Sequence, residues 1–380
     1  MPISSPIPSV KVPNVDIATL FFEQARARVD AAIAAGSPRE AESPLLVDGI
    51  TGRSPCFSDI RQQSLNIGRA LTQRGFCGQL ERQTVVVFAP SDISFCCIYY
   101  GTLMAGGVYV PLGPELGAAE LARRLAEVDA TVVIVAAELM STLLAACKLA
   151  DLDIGQANVI LLSGSYPGHA TLSSICEESG ASPSFEPIVI TDSVELKNRV
   201  AMVLYTSGTT GDSKGVLLTH RNLVHMYAMV GGYSAQTVRD TISTTAQSRV
   251  LSALPTSSIY GHSVLCYQPL AGGDCVVQLP TFDVATYLET IERYQIERLS
   301  GTPTLFHSLL CHTTKVNKGL VALAHAPERK FDIRSVKTVG CGGAPLPNCR
   351  RQQYSEYFGG IPVITGYGQT ESSSIIAGSS

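Results

Sequence analysis

Short apolar runs alternate with stretches of helical periodicity from about residue 16 to the end of the chain. Asp16 stands at an N-cap position ahead of Ile17, Leu20, Phe21, Val29 and Ile33, which share one helix face that Gly36 would stop. The pattern then predicts helix 58–74, strand 84–88, helix 117–128, strand 131–135, helix 138–150 and strand 159–162. Residues 93–110 are apolar enough to raise the question of a membrane span. Ser94, Gly101, Gly106 and Gly107 interrupt that run and Pro111 follows it, so a buried helix 93–105 capped by Asp92, then a strand at 108–110, fits better. Beyond residue 200 strands are expected at 200–205, 216–218, 249–253, 274–279, 298–300, 335–340 and 362–365, with helices at 284–294, 304–312 and 348–358.

Uninterrupted apolar strands separated by helices indicate parallel sheets covered on both faces. The expected fold is α/β, with two similar α/β subdomains whose mainly parallel sheets are covered by helices. A composition shift at 177–199 suggests the crossing between them. The expected division is an N-terminal arm and first helix at 1–40, a first subdomain at 41–185 and a second at 186–380. With 380 residues, two or three subdomains are also what length alone suggests.

Composition changes this picture little. A hydrophobic share of 45% and a charged share of 16% are globular values, and a net charge of −4 gives no reason to propose nucleic acid or an anionic membrane as partner. The eleven cysteines contain no Cys-x-x-Cys and no zinc-like spacing, which suits a reduced, cytoplasmic compartment. The segment 1–15 is rich in Pro and Ser, lacks the layout of a signal peptide and reads as a loose arm.

Candidate chemistry is concentrated in Leu204-Tyr205-Thr206-Ser207-Gly208-Thr209-Thr210-Gly211-Asp212-Ser213-Lys214-Gly215. A buried strand runs into a loop of hydroxyls and glycines with one lysine. Glycines let backbone N–H groups approach an anion, hydroxyls add neutral donors, and Lys214 adds a mobile charge. A Walker loop needs Gly-Lys-Ser/Thr, whereas here Lys214 precedes Gly215; the kinase pattern Gly-x-Gly-x-x-Gly is not met in this loop either. The plain alternative is a polar surface loop. Thr219 is a plausible N-cap for the following helix.

Two further stretches follow strands, where open α/β sheets gather ligands. Cys341-Gly342-Gly343-Ala344-Pro345-Leu346 makes a tight turn whose open backbone suits a planar ring, or is an ordinary strand-to-helix turn. Gly366-Tyr367-Gly368-Gln369-Thr370-Glu371 offers a ring face, a hydroxyl and a carboxylate, the parts an ATP–Mg²⁺ complex needs.

The loop at 206–214 resembles the phosphate loop of the adenylate-forming enzymes, a family that includes acyl- and aryl-CoA synthetases, peptide-synthetase adenylation domains and luciferases. The Gly366–Glu371 stretch looks like that family's second signature, and Gly342 to Leu346 like its adenine-side turn. Ala105-Gly106-Gly107-Val108-Tyr109-Val110-Pro111-Leu112 is similar to an upstream structural motif of the same family. The likeness runs from about residue 45 to the end and is strongest to acyl-CoA synthetases of the 4-coumarate-CoA ligase type.

The resemblance implies an ATP site built from Thr206, Ser207, Gly208, Thr209, Thr210, Gly211 and Lys214, from Gly342, Gly343, Ala344 and Pro345, and from Gly366, Tyr367, Gly368, Gln369 and Thr370. Tyr367, Gly343 and Ala344 would flank adenine. Lys214, Thr370 and Glu371 would act in catalysis, and Glu371 with Thr209 would hold Mg²⁺. A pocket for the acid would draw on Tyr260, Gly261, His262, Thr302 and Cys341. The implied reaction joins a small carboxylic acid to AMP, expels pyrophosphate, and passes the acyl group to coenzyme A.

There are departures. After Leu254-Pro255 many acyl-CoA synthetases carry a histidine two residues before the tyrosine that Tyr260 matches; here that position is Ser258, with His262 a possible stand-in. Ser213 stands where the family often has proline. In the family the second signature is followed by a further Thr-Gly-Asp stretch, a β-barrel portion and a small C-terminal domain with a catalytic lysine, none of which occurs between Glu371 and residue 380. The chain is therefore expected to be a truncated N-terminal domain, and a peroxisomal C-terminal signal is not assessable in it. Two other readings remain open here: an adenylation domain or acyl-AMP ligase serving a carrier protein, and a non-catalytic nucleotide-binding fragment.

Overall fold

The computed structural model describes residues 10–34, 42–76, 83–180, 185–206, 213–233, 247–267, 273–317 and 319–379. Strand β1 (Leu46–Asp48) is followed by β2 (Thr84–Phe88), β3 (Val108–Leu112), β4 (Ala130–Ala136), β5 (Val159–Ser163), β6 (Val200–Thr206) and β7 (Lys214–Thr219). Then come β8 (Arg249–Ser252), β9 (Cys275–Gln278), β10 (Arg298–Gly301), β11 (Thr313–Asn317), β12 (Leu320–Leu323), β13 (Ala326–Asp332), β14 (Thr338–Gly342), β15 (Val363–Gln369) and β16 (Ser374–Ser379). Among the described residues they form three sheets. The first is ordered β5-β4-β2-β3-β6-β7, the second β1-β9-β8-β10-β14-β15-β16, and the third is the small set β11-β12-β13. Each large sheet is parallel apart from one antiparallel pair at its edge, β6–β7 in the first and β15–β16 in the second.

The burial of each strand explains its sequence. In β2, Val85 and Val87 join the core between the two large sheets, while Val86 and Phe88 join the core on the first sheet's outer face. A strand covered on both sides must be apolar at every position, because successive side chains point to opposite faces. The inner core also takes in helices Ile17–Ala34, Phe57–Gln73, Ser94–Met104 and Ile259–Cys266. Helices Ala118–Glu127 and Met140–Ala150 cover the first sheet's outer face; Val284–Tyr294, Pro303–His312 and Asn348–Tyr357 cover the second's. The result is five layers, helix and sheet alternating, with both large sheets fully covered.

Local chemistry sets the helix starts. Asp16 accepts the Thr19 amide at 3.0 Å and the Thr19 hydroxyl at 2.7 Å, and Asp92 accepts the Ser94 amide at 2.7 Å. Gly101 lets helix Ser94–Met104 lie against Phe57–Gln73: a Cβ there would stand 2.8 Å from Ile67 and from the Ser64 carbonyl oxygen. Among the described residues no helix is long and apolar enough to cross a membrane.

Three features differ from the sequence-based expectation. Sheet membership does not follow the 41–185 and 186–380 division, since β1 pairs with β9 in the second sheet and the β6–β7 hairpin completes the first. The antiparallel sheet β11–β13 was not expected at all. And β15 does not end at residue 365 but continues through Gly366 to Gln369, pairing with β16.

Candidate active site

The β6–β7 hairpin carries the first candidate stretch. Thr206 lies opposite Lys214 and Tyr205 opposite Gly215, so the two strands are in register up to the connecting segment. Ser207, Gly208, Thr209, Thr210 and Gly211 lie outside the described residues. Lys214 is exposed at the start of β7, and Thr206 is half-buried. After β7, Thr219 and Asn222 cap helix His220–Tyr233 reciprocally: Asn222 Oδ1 accepts the Thr219 amide at 3.0 Å and Thr219 Oγ1 accepts the Asn222 amide at 3.3 Å.

Tyr205 faces helix Ala118–Glu127. The Arg124 guanidinium lies 4.4 Å above its ring, and its hydroxyl donates to Glu127 Oε2 at 2.9 Å. Burial, and then the neighbouring carboxylate, raise the phenol pKa. A groove of about 1360 Å³ runs along this side, lined by Lys214, Ser213, Tyr205, Arg123 and the first residues of β2, β3 and β4. It includes none of Tyr260, Gly342 and Tyr367.

The second stretch lies at the carboxyl ends of β10, β14 and β15. Gly301 pairs with Cys341 and Gly342 with Gly366, so the adenine-side turn and the Tyr367 strand are immediate neighbours. A Cβ on Gly342 would meet the Gly366 carbonyl oxygen at 3.2 Å and the Tyr260 ring at 3.4 Å. Gly343 has φ +83°, which favours glycine, and a Cβ there would sit 3.5 Å from the Thr302 methyl. Ala344 and Pro345 are exposed beyond it. Thr302 caps helix Pro303–His312 by accepting the Leu305 amide at 3.3 Å, and the Tyr260 hydroxyl donates to the Gly340 carbonyl at 3.4 Å. Cys341 is buried, which pushes its thiol up to about 12.

Ser258 is the N-cap of helix Ile259–Cys266, accepting the Gly261 amide at 3.1 Å and donating to the Pro255 carbonyl at 2.7 Å. Gly261 is required there, because a Cβ would stand 2.1 Å from the Pro255 carbonyl oxygen. His262 is placed differently from the expectation that it joins the acid pocket. Its ring is fully buried, 4.5 Å from the Tyr99 ring, 5.8 Å from Tyr109 and 5.6 Å from Tyr267. Two positions after Tyr260 on the same helix, it turns to the other side and packs in the core between the sheets. Burial drops its pKa to about 3, so it stands there neutral.

The third stretch is the β15–β16 hairpin. Tyr367 is 57% exposed, and its hydroxyl accepts the Gln369 side-chain amide at 2.8 Å. Gly368 is required by space: a Cβ would lie 1.9 Å from the Ser374 carbonyl oxygen. Thr370–Ser372 form a single 3-10 turn, closed by Ser373 at φ 64°, and Glu371 projects from it exposed. Strand β7 packs against this turn, and helices His220–Tyr233 and Ile259–Cys266 pack against β16. The strand that carries Lys214 thus meets the turn that carries Glu371. A lone exposed carboxylate suits a magnesium ion that keeps most of its water and brings phosphate oxygens with it.

Sequence reasoning missed Glu120, Arg123 and Arg124, which surround Ser213. Their spacing on one helix is visible in the chain, but their partner lies 89–93 residues away.

The chain is 26% identical over 340 residues to "4-coumarate--CoA ligase-like 2" of Arabidopsis thaliana, covering 88% of this chain and 54% of that protein. It is 24% identical to "Peroxisomal OPC-8:0-CoA ligase 1" of the same plant, covering 98% of this chain and 60% of the relative. The chain therefore spans little more than half the length of the curated relatives it matches. Its fold matches the crystal structure of the N-terminal domain of FACL13 from Mycobacterium tuberculosis, with a TM-score of 0.66 at 21% identity, over 93% of this chain and 76% of that one. A family model described as "AMP-binding enzyme" matches residues 34–379, and the chain belongs to that family.

Proposed function

We propose that this chain carries the nucleotide and acid sites of an ATP-dependent acid–thiol ligase. The reaction forms an acyl-adenylate and then a thioester with coenzyme A. The observation that carries the reading is the meeting of the two edge hairpins: β7 packs against Thr370–Ser372, while Gly342 and Gly366 are partners on adjacent strands. Phosphate chemistry from one sheet and ring and carboxylate chemistry from the other then serve one nucleotide. Thr206, Lys214 and Thr370 are assigned to the phosphates, Gly342, Gly343, Ala344, Pro345, Gly366, Tyr367, Gly368 and Gln369 to the adenine side, and Glu371 to magnesium. Ser207, Gly208, Thr209, Thr210 and Gly211 would complete the phosphate set.

In the first step a carboxylate oxygen attacks the α-phosphorus and the bond to pyrophosphate breaks. In the second, the thiol sulfur attacks the acyl carbonyl and AMP leaves. The first step brings a carboxylate against a polyphosphate, so crowded negative charge must be neutralised as the transition state forms. Lys214 supplies a full positive charge on a flexible stem, and the strand tips hold the reactants in line. Bound Mg²⁺ would add Lewis-acid neutralisation of the phosphate oxygens, held by Glu371. The acid is assigned to the cluster of Tyr260, Gly261, Thr302 and Cys341, beside the Gly342 turn.

The test is acid-dependent exchange of labelled pyrophosphate into ATP over a broad panel of aliphatic and aromatic acids, run on a version of the chain that extends through a C-terminal domain. Exchange with at least one acid is expected, and none with any of them overturns the reading. Competition between coenzyme A and a carrier protein for the acyl-adenylate then identifies the acceptor. The proposed compartment is the cytoplasm, with the peroxisome a second reading from the relative named above.

A further inference from the structure

Ser213 immediately precedes Lys214, and its hydroxyl sits in a knot made by one helix. Ser213 Oγ donates to Glu120 Oε1 at 2.7 Å and accepts from Arg123 Nη2 at 2.8 Å and from Arg124 Nη2 at 2.9 Å. A hydroxyl has one proton and two lone pairs, so every bonding position of this one is used. Arg123 Nη2 also donates to the Ser213 carbonyl oxygen at 3.1 Å. That carbonyl and the Lys214 N–H belong to the same rigid peptide plane, so holding one fixes the other.

The knot is itself braced. Glu120 Oε1 accepts from Arg123 Nη2 at 2.6 Å and from Arg124 Nε at 2.8 Å, and Glu120 Oε2 accepts from Arg123 Nε at 3.0 Å. Arg123 also pairs with Glu127, which receives the Tyr205 hydroxyl, and Arg124 covers the Tyr205 ring. Both stems of the hairpin, Tyr205 on β6 and Ser213 at the start of β7, are therefore tied to helix Ala118–Glu127. The bonds to Arg123 foremost, then to Ser213 and Arg124, hold the Glu120 carboxyl down at about 2.

We propose that Glu120, Arg123 and Arg124 are positioning residues that act through Ser213 to fix the backbone from which the Lys214 ammonium reaches a nucleoside polyphosphate. The consequence for nucleotide binding rests on the function proposed above; the clamp itself does not. Two positive and two negative side chains make the cluster formally neutral, so its contribution is geometric. Forked guanidinium bonds supply a geometry that a lysine in the same place does not.

The experiment compares the unsubstituted protein with Ser213→Ala, Ser213→Thr and Arg124→Lys. Hydrogen–deuterium exchange is followed on the peptide spanning 213–218 without nucleotide, and ATP–Mg²⁺ titrations are run in parallel. Ser213→Ala and Arg124→Lys are expected to speed exchange in that peptide about tenfold and to weaken ATP binding about five- to tenfold, with the exchange of β2 to β4 unchanged. Ser213→Thr, which keeps the hydroxyl, is expected to restore both. In a Lys214→Ala background, Ser213→Ala should cost no further affinity. Unchanged exchange at 213–218 in both disrupting variants overturns the clamp; an undiminished affinity cost in the Lys214→Ala background overturns its action through Lys214. Should Ser213→Ala fail to fold, Arg124→Lys reads the same peptide. If the unsubstituted protein fails to bind ATP–Mg²⁺, the nucleotide reading falls, while the exchange data still decide the clamp.

Discussion

The two large sheets end in the same way, each with one antiparallel hairpin at the edge of an otherwise parallel array, but the hairpins are held by opposite means. At β6–β7 the grip comes from side chains: Arg123, Arg124, Glu120 and Glu127 reach across to Ser213 and Tyr205. At β15–β16 it comes from within the hairpin itself, with Gly368 close against the Ser374 carbonyl, Ser373 in the left-handed region and the Ser372 hydroxyl bonded to the Gln369 backbone and the Ser374 carbonyl. Charged functional groups need the first kind of support, because a lysine on a flexible stem has no geometry of its own. An aromatic face needs the second, since a flat ring is presented by where its strand runs. The two hairpins should therefore fail under different substitutions.

The largest expected effect is at the charge. Lys214→Ala should lower pyrophosphate exchange by about a hundredfold or more, the scale of removing one group that stabilises transition-state charge, with the urea midpoint unchanged because the side chain is exposed. A shifted midpoint would make Lys214 structural. Next comes the backbone of the other hairpin. Gly368→Ala puts a Cβ 1.9 Å from a carbonyl oxygen and should cost about 3 kcal/mol in urea unfolding, whereas Ser213→Ala should cost less. Equal costs would erase the contrast between the hairpins.

A pH series probes the histidines behind each hairpin. His220 follows β7 and His262 lies on the helix packed against β16; burial lowers them to about 4 and about 3 from an ordinary 6.5. The unfolded chain therefore takes up protons first as pH falls. Stability should be complete above about pH 6.5 and drop below it by about 1.4 kcal/mol per pH unit for each histidine, until the folded values are reached. Urea midpoints at pH 7, 6 and 5 measure this, and His262→Phe should remove about half of the slope. The smallest effect expected is Tyr367→Ala: about a tenfold loss of ATP affinity by calorimetry, with no change in the urea midpoint, since the ring is mostly exposed.

Much of this was legible in the chain, for identifiable reasons. Strands such as Val85-Val86-Val87-Phe88 are apolar at every position because both faces are covered, and that pattern points to a parallel α/β sheet. Asp16 and Thr219 were readable as caps because capping is local. Strand β13 was not readable: Glu328, Arg329 and Lys330 face water, and Phe331 is its one fully buried residue. Gly366-Tyr367-Gly368 resembles a turn in composition, yet it is a strand, in which Gly368 makes room for the Ser374 carbonyl. His262 was misplaced because a residue near a helix start gives no sign of which neighbours will cover it. Ser213 illustrates the remaining gap, since its three partners come from a helix that periodicity alone leaves solvated.

Strand β1 has a consequence for how the molecule is made. Leu46 takes Val276 as its partner, more than two hundred residues later in synthesis. At translation rates of about 5 to 20 residues per second, this early segment waits on the order of ten seconds or longer for its place to exist. A variant lacking residues 45–48 would leave β9 as a bare sheet edge, inviting other chains to pair there. One edge of the second sheet is thus completed by an early segment of the chain, and the two halves of the molecule mature together.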